Sequence, residues 1–268
     1  MPQTRGGILG DIVALPARRP GWMLLAASDR RLAGESPRRF RWAWVELMLL
    51  SAGWGVGSAL LWELCVNVFG WYSADFPFIP TAVVLAVMVL WVYRRAVRSL
   101  AELLGAGDQA GTSAAAAMTV VTMALILLGL RSWQPDWPVH MHPWLQWLRP
   151  RTMYRALILA PVWGAWAMLI TPQFRRPDAG SEPQVAAFAR GCGPFAAAVC
   201  MAAPLAGSVI YFNHMPWTQL GISATAVLTA VAGGQILCAV GGGLKRRNLL
   251  SVNLLTQITF LLAYLANR

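Results

Sequence analysis

Apolar runs of membrane-spanning length, separated by arginine-bearing connectors, recur through this sequence and leave few folds open to it. The last stretch shows the pattern. Gly241 to Leu265, GGGLKRRNLLSVNLLTQITFLLAYL, sets a glycine triplet and three successive cations ahead of a run about long enough to cross a bilayer. Six similar runs precede it, over Trp42–Phe69, from the loop Gly70–Pro77 to Tyr93, and over Ala114–Leu130, Met153–Ile170, Gly191–Phe212 and Thr218–Val240, and the seventh proper covers Leu249–Leu265. Only 12% of the residues are charged and 57% are hydrophobic, about half the charged share of a soluble domain. Such a chain has too little polar surface to stay solvated in water, so its solvent is lipid. The expectation is an all-α fold, a polytopic transmembrane helical bundle of about seven spans, because a helix satisfies its own backbone in hydrocarbon.

Charge orients the bundle. With the N-terminus cytoplasmic, seventeen of the 22 lysines and arginines fall on the inner side and five on the outer, as the excess of cations in cytoplasmic loops requires. Residues 1–41, with eight arginines and Pro2, Pro16, Pro20 and Pro37, read as a basic cytoplasmic arm lying partly on an anionic leaflet. Residues 42–268 then form a single transmembrane helical domain. The apolar burst Trp22–Ala27 is too short for a secretory signal and runs straight into Asp29-Arg30-Arg31. A net charge of +11 clustered at the ends of apolar runs, with little aromatic interleaving, speaks for membrane topology rather than nucleic acid. The expected location is the cell inner membrane, multi-pass.

Within the spans, polar groups are candidates for function because ionisable side chains are costly at membrane depth. Glu46 and Glu63 lie on the first span, 17 residues and so about 25 Å apart along a helix, which rules out a paired acid and base on that helix. Each has a plain alternative in interfacial placement or pairing with an arginine. Asn253 is the third intramembrane polar candidate. Gly53 and Gly57, four apart, have the spacing that admits a close helix neighbour. Pro161 and Pro204 suggest breaks in the fourth and fifth spans. Cys65, Cys192, Cys200 and Cys238 all sit in apolar runs without a CxxC pair and read as packing residues. His140 and His142 alternate in a tryptophan-rich loop, but with no third ligand nearby an interfacial role is preferred to a metal. Ser99 to Ala117, small and polar, reads as a half-buried connector.

The basic connectors are the clearest candidate site. Arg94, Arg95 and Arg98 follow the second span and Lys245, Arg246 and Arg247 precede the seventh. The simplest role for them is to set orientation. The sharper one is to ring a cytoplasmic mouth that receives an anionic lipid or a phosphorylated metabolite. Acids on that side are isolated: Glu102 and Asp108, then Asp178 and Glu182. No Walker motif, nucleophile elbow or HExxH occurs.

Two stretches resemble the adenosylcobinamide-GDP ribazoletransferases, the cobalamin 5′-phosphate synthases of bacterial inner membranes. Ala156 to Met168, ALILAPVWGAWAM, is similar to the family's LLLAPVLGRWAM helix. Gly242 to Leu262, GGLKRRNLLSVNLLTQITFLL, is similar to its closing GGLTGDxxGAxNELTExxxLL at Gly242, Gly243, Leu244, Asn253, Leu255 and Thr256. The resemblance implies a cobalamin-synthase-like helical fold and, in an active member, a magnesium-dependent joining of cobinamide-GDP and a ribazole. The residues that would carry the metal differ. The family's arginine in the first motif is Ala165, its TGD is Lys245-Arg246-Arg247, and its NELTE is Asn253-Leu254-Leu255-Thr256-Gln257. Where the acidic HLDGLADTADG segment is expected stands RSLAELLGAGDQAG, Arg98 to Gly111, with Glu102 and Asp108 its only acids.

Cations in place of carboxylates repel a divalent metal. The leading expectation is therefore a non-catalytic relative, a pseudoenzyme without metal or cofactor, whose basic face binds an anionic lipid, a metabolite or a partner subunit in the membrane. Two alternatives stand beside it. One is an active transferase with magnesium; the other is a small transporter or channel built around Glu46, Glu63 and the proline-bearing spans.

Overall fold

A computed structural model describes residues 19–68, 78–105, 108–132, 152–212 and 216–267, and these are helical, with no strand among the described residues. Two short helices, α1 (Pro20–Ala26) and α2 (Asp29–Ala33), and a 3-10 turn (Pro37–Trp42) precede the long α3 (Ala43–Val68). Next, α4 (Phe78–Val87) runs through a π-helical segment (Met88–Tyr93) into α5 (Arg94–Leu104), followed by α6 (Gln109–Ser132) and α7 (Thr152–Phe174). Then come α8 (Pro183–Gly191), α9 (Pro194–Phe212), α10 (Pro216–Leu228), a second π-helical segment (Thr229–Gly233), α11 (Gly234–Val240) and α12 (Arg246–Ala266).

Among the described residues, six helices are long and apolar enough to cross a bilayer: Pro37–Cys65, Gln109–Leu130, Tyr154–Phe174, Pro194–Tyr211, Trp217–Val240 and Arg246–Ala266. The seventh apolar segment, Thr81–Leu90, is shorter, but its helix continues through the π segment into α5. Large apolar side chains lie exposed along the outer helices, including Leu60 and Leu64 on α3, Met118 and Leu125 on α6, and Ile236 on α11. Water would not tolerate such continuous patches; hydrocarbon solvates them. Exposed Trp42 and Trp217 stand at the starts of spanning helices, where amphipathic rings suit a headgroup layer. The chain is a multi-pass membrane protein.

Its centre is α7 packed on α12. Trp163, Trp166 and Phe260 are fully buried there, with Trp163 edge-on to Trp166 at 5.7 Å between ring centroids. Lipid supplies no hydrophobic drive between helices, so close approach depends on small residues and hydrogen bonds. A Cβ at Gly164 would stand 2.9 Å from the Asn253 carbonyl oxygen and 2.7 Å from Gln257 Nε2. This glycine therefore sets the spacing of the two central helices. On the other side of α7, a Cβ at Gly55 of α3 would meet the Ile158 carbonyl oxygen at 2.5 Å.

That contact corrects one expectation. Gly53 and Gly57 face open space, with nothing within 4 Å of an added Cβ. The stripe of small residues that meets α7 is Ser51, Gly55 and Ala59, all buried, offset by two positions and so carried to the opposite side of the helix. The prolines do not break their helices either: Pro161 lies inside α7 and Pro204 inside α9, since neighbouring groups in a bundle can compensate the lost bond. The expected half-buried connector Ser99–Ala117 is mostly helix. It is helical up to Leu104 and again from Gln109, and the Asp108 carboxylate caps α6 by accepting from Gly111 N at 3.0 Å. The four cysteines are buried and unpaired.

The described part of the expected arm is not spread outward. Met23, Leu24, Leu32 and Phe40 are buried against the bundle, and α1 lies along α3. A Cβ at Gly21 would come within 2.9 Å of Leu47 N. Apolar residues spaced along 22–40 pull the segment inward, while its arginines stay at the surface.

Candidate functional site

The segments that charge assigns to one side meet on one face of the bundle. The Gln184 side chain donates to Glu35 O at 3.1 Å, Ser181 Oγ donates to Leu244 O at 2.7 Å, and Arg246 reaches the α1–α2 junction. On this face lies a cleft of about 630 Å³. It is bounded by the start of α12, by α5 and by the α1–α2 junction. Arg94, Arg95, Arg98, Arg246 and Arg247 all line it, five of the six cations singled out from sequence. Lys245, at the N-cap of α12 in an extended conformation, is not in its lining.

The glycine triplet aims this end of α12. Gly242 and Gly243 have φ of +68° and +106°, a region that side chains avoid. A Cβ at Gly243 would also run into the Asp178 carboxylate. The resulting turn brings the chain back so that Asn248 can donate to the Gly243 carbonyl. Asp178 is itself held in its loop, accepting from Gly180 N and Ser181 Oγ at 3.0 and 3.1 Å.

Arg246 is the fixed member. Its Nε donates to Leu24 O at 2.8 Å, Nη2 to Met23 O at 2.7 Å and Nη1 to Asp29 Oδ1 at 2.7 Å. Its backbone N–H donates to Glu182 Oε2 at 3.2 Å. One guanidinium fork thus caps the end of α1 and ties α1, α2 and α8 to α12, a use for which a planar five-donor group is suited. Arg95 Nη1 also donates to Asp29 Oδ1, at 3.1 Å. Arg98 Nε donates to Glu102 at 2.8 Å, and that hydrogen bond, with the Glu102 charge, holds the Arg98 guanidinium above its ordinary pKa. Arg247 Nη2 donates to Gly241 O at 2.8 Å. Arg94 is exposed, and no side-chain partner holds it among the described residues.

Comparison with protein-family models, with curated proteins and with solved structures returns no match. What the site does must therefore come from its own chemistry. Five guanidiniums face three carboxylates, Asp29, Glu102 and Glu182, leaving two positive charges in excess. Each carboxylate is already engaged by an arginine side chain or backbone. Among the described residues no three His, Cys, Asp or Glu side chains come together as a metal site. The excess of guanidiniums in the cleft suits an anion.

The intramembrane candidates lie elsewhere. Glu46 accepts from Gly21 N at 3.1 Å and stands 3.8 Å from Arg19 Nη1, so it caps the start of α1. Glu63, at the other end of α3, accepts a hydrogen bond from the Tyr154 hydroxyl. Asn253 Nδ2 donates to Met168 Sδ at 3.2 Å and Asn253 Oδ1 accepts from Gln257, gluing α12 to α7. These three do not share a site. His140 and His142, with their loop, lie outside the described residues. Sequence reasoning missed Asp29, Glu182, Leu90 and Leu250 as cleft residues. Asp29 and Arg246 are 217 positions apart, and nothing local marks such a pair. A four-residue spacing of Leu90, Arg94, Arg98 and Glu102 was the one readable signal.

Proposed function

We propose that this membrane protein binds a phosphate-bearing anion in the arginine cleft, on the cytoplasmic side of the inner membrane. The observation that carries the reading is the convergence of five arginines from two separate connectors on one cleft with two uncompensated positive charges. Arg94 and Arg247 supply the binding charge; Arg246 builds the wall. Phosphate is the favoured chemistry because its oxygens match guanidinium donors in pairs. The test is calorimetric titration of the detergent-purified protein with pyrophosphate. Arg94→Gln and Arg247→Gln are each expected to weaken binding about tenfold, or about 1.4 kcal/mol. Affinity unchanged in both variants overturns the proposal.

We further read the fold as cobalamin-synthase-like and without the family's reaction. Support comes from packing: the two stretches that carry the resemblance touch each other through Gly164 against Gln257 and Met168 against Asn253. Against retained chemistry stands the charge of the cleft, where Arg246 and Arg247 occupy the places of the family's acidic turn and the remaining acids are paired. Titration with magnesium in the presence of cobinamide-GDP tests this. No ligand-dependent metal uptake is expected, and micromolar uptake restores the transferase reading. A transport role is disfavoured because Glu46 and Glu63 lie at opposite ends of α3, each in a structural hydrogen bond.

A further inference from the structure

We infer that the anion of this cleft is the headgroup of a membrane phospholipid that enters sideways from the bilayer, not a solute arriving from water. This rests on the anion-binding reading above and adds the source of the ligand.

The geometry lies along one helical stripe. Leu90, Arg94, Arg98 and Glu102 recur every fourth residue through the π segment and α5, and all four line the cleft. Leu90 is the last residue of the apolar stretch Thr81–Leu90 and is 71% exposed, so hydrocarbon surrounds it. From Leu90 to Glu102 the helix rises about 18 Å, more than the headgroup layer that separates hydrocarbon from water. The wall of the cleft therefore passes from lipid, through two arginines at headgroup depth, to a carboxylate in water. Leu250 and Val92, both buried, and Ala26 continue the apolar lining below the arginines. A soluble phosphate has no use for such a floor. A phospholipid does: its phosphate meets Arg94 and Arg247 while its acyl chains leave past Leu90. The chemistry selects an anionic headgroup, because a zwitterionic one brings a cation toward a cleft already in positive excess.

The experiment uses the full chain in a mild detergent. It is titrated with short-chain phosphatidylglycerol, with phosphatidylcholine of the same chain length, and with glycerol 3-phosphate. Phosphatidylglycerol is expected to bind at least about tenfold more tightly than either of the others. Arg94→Gln weakens phosphatidylglycerol and glycerol 3-phosphate alike. Leu90→Gln, at a surface position whose loss leaves the core intact, weakens only the lipid. If glycerol 3-phosphate binds as tightly as the lipid, or Leu90→Gln leaves lipid binding unchanged, the ligand comes from water: this inference falls and the anion site stands. If no anion binds in an Arg94-dependent way, both fall.

Discussion

Arg246 enters the cleft from the first turn of α12 with 4% of its side chain exposed and hydrogen bonds to three acceptors, whereas Arg94 enters from α5 in the open. The two residues look alike in sequence, each part of a short basic run at the end of an apolar span. Surroundings separate them. A guanidinium surrounded by backbone carbonyls has its donors spent and holds helices together; one with its donors facing a cleft can give them to a ligand. The same contrast sorts the acids. Asp29 serves the fixed arginine and is 80% exposed, so it also reaches Arg95, while Glu182 secures the α12 backbone.

The largest effect that distinguishes the two arginines is on stability. Arg246→Ala strips the cap from α1 and leaves Asp29 with Arg95 alone. Because Asp29 is exposed, the cost comes from the Met23 and Leu24 carbonyls left without their donor, about 1–3 kcal/mol, read as a lower apparent melting temperature in detergent and faster proteolysis within residues 20–33. Arg246→Lys should recover little, because one ammonium on a flexible stem cannot reproduce the three-way fork. Arg94→Gln should leave melting unchanged. An Arg246→Ala protein that melts like the parent but has lost anion binding would reverse the two roles.

Salt sharpens the contrast next. Interactions among exposed charges are screened over about 8–10 Å at physiological ionic strength, buried ones much less. Raising sodium chloride toward molar concentration should weaken pyrophosphate binding by about tenfold or more, as free guanidiniums lose their reach. The melting temperature, which depends on the buried Arg246 network, should move little over the same range. Equal insensitivity of both readouts would mean that the ligand's charge is not what the cleft recognises.

These roles differ in how far the sequence could disclose them. The spans were legible because lipid demands long apolar runs, and the shared face of the basic connectors because cation bias fixes topology. Five of the six predicted cations indeed meet in one cleft. The assignment of structural against available arginines was not legible, since it depends on where residues 20–33 fold back, and proline and arginine content suggested only a basic arm lying partly on an anionic leaflet. Gly53 and Gly57 misled for a related reason: spacing defines a stripe, but only the partner helix decides which stripe is used, and α7 meets Ser51, Gly55 and Ala59. The two stretches 156–168 and 242–262 fall on helices that pack against each other at Gly164.

Asp29→Asn comes third in size. Neutralising it removes an internal competitor from between Arg95 and Arg246 while keeping an amide oxygen to accept from Arg246. Pyrophosphate affinity should rise about three- to fivefold, and stability should fall by less than about 1.5 kcal/mol, the scale of a single hydrogen bond. Lower affinity would show that Asp29 orients the arginines for the ligand instead of competing with it.

The smallest expected effect belongs to Glu102→Gln, and it tests whether availability alone decides which arginines bind. Arg98 is 79% exposed and its Glu102 partner 38%, an i,i+4 pair of the kind worth about 0.3–0.5 kcal/mol. Its loss should not register in melting. Arg98 would then face an uncharged partner, and so be freer to turn to a ligand, one turn further from the hydrocarbon than Arg94. If spare donors are what the ligand uses, pyrophosphate, which is free to settle anywhere in the cleft, should gain about twofold in Glu102→Gln. Phosphatidylglycerol, tethered at the depth of Leu90 and Arg94, should gain less. An equal gain for both ligands would place the headgroup a turn higher on α5 than the Leu90–Arg94 step implies.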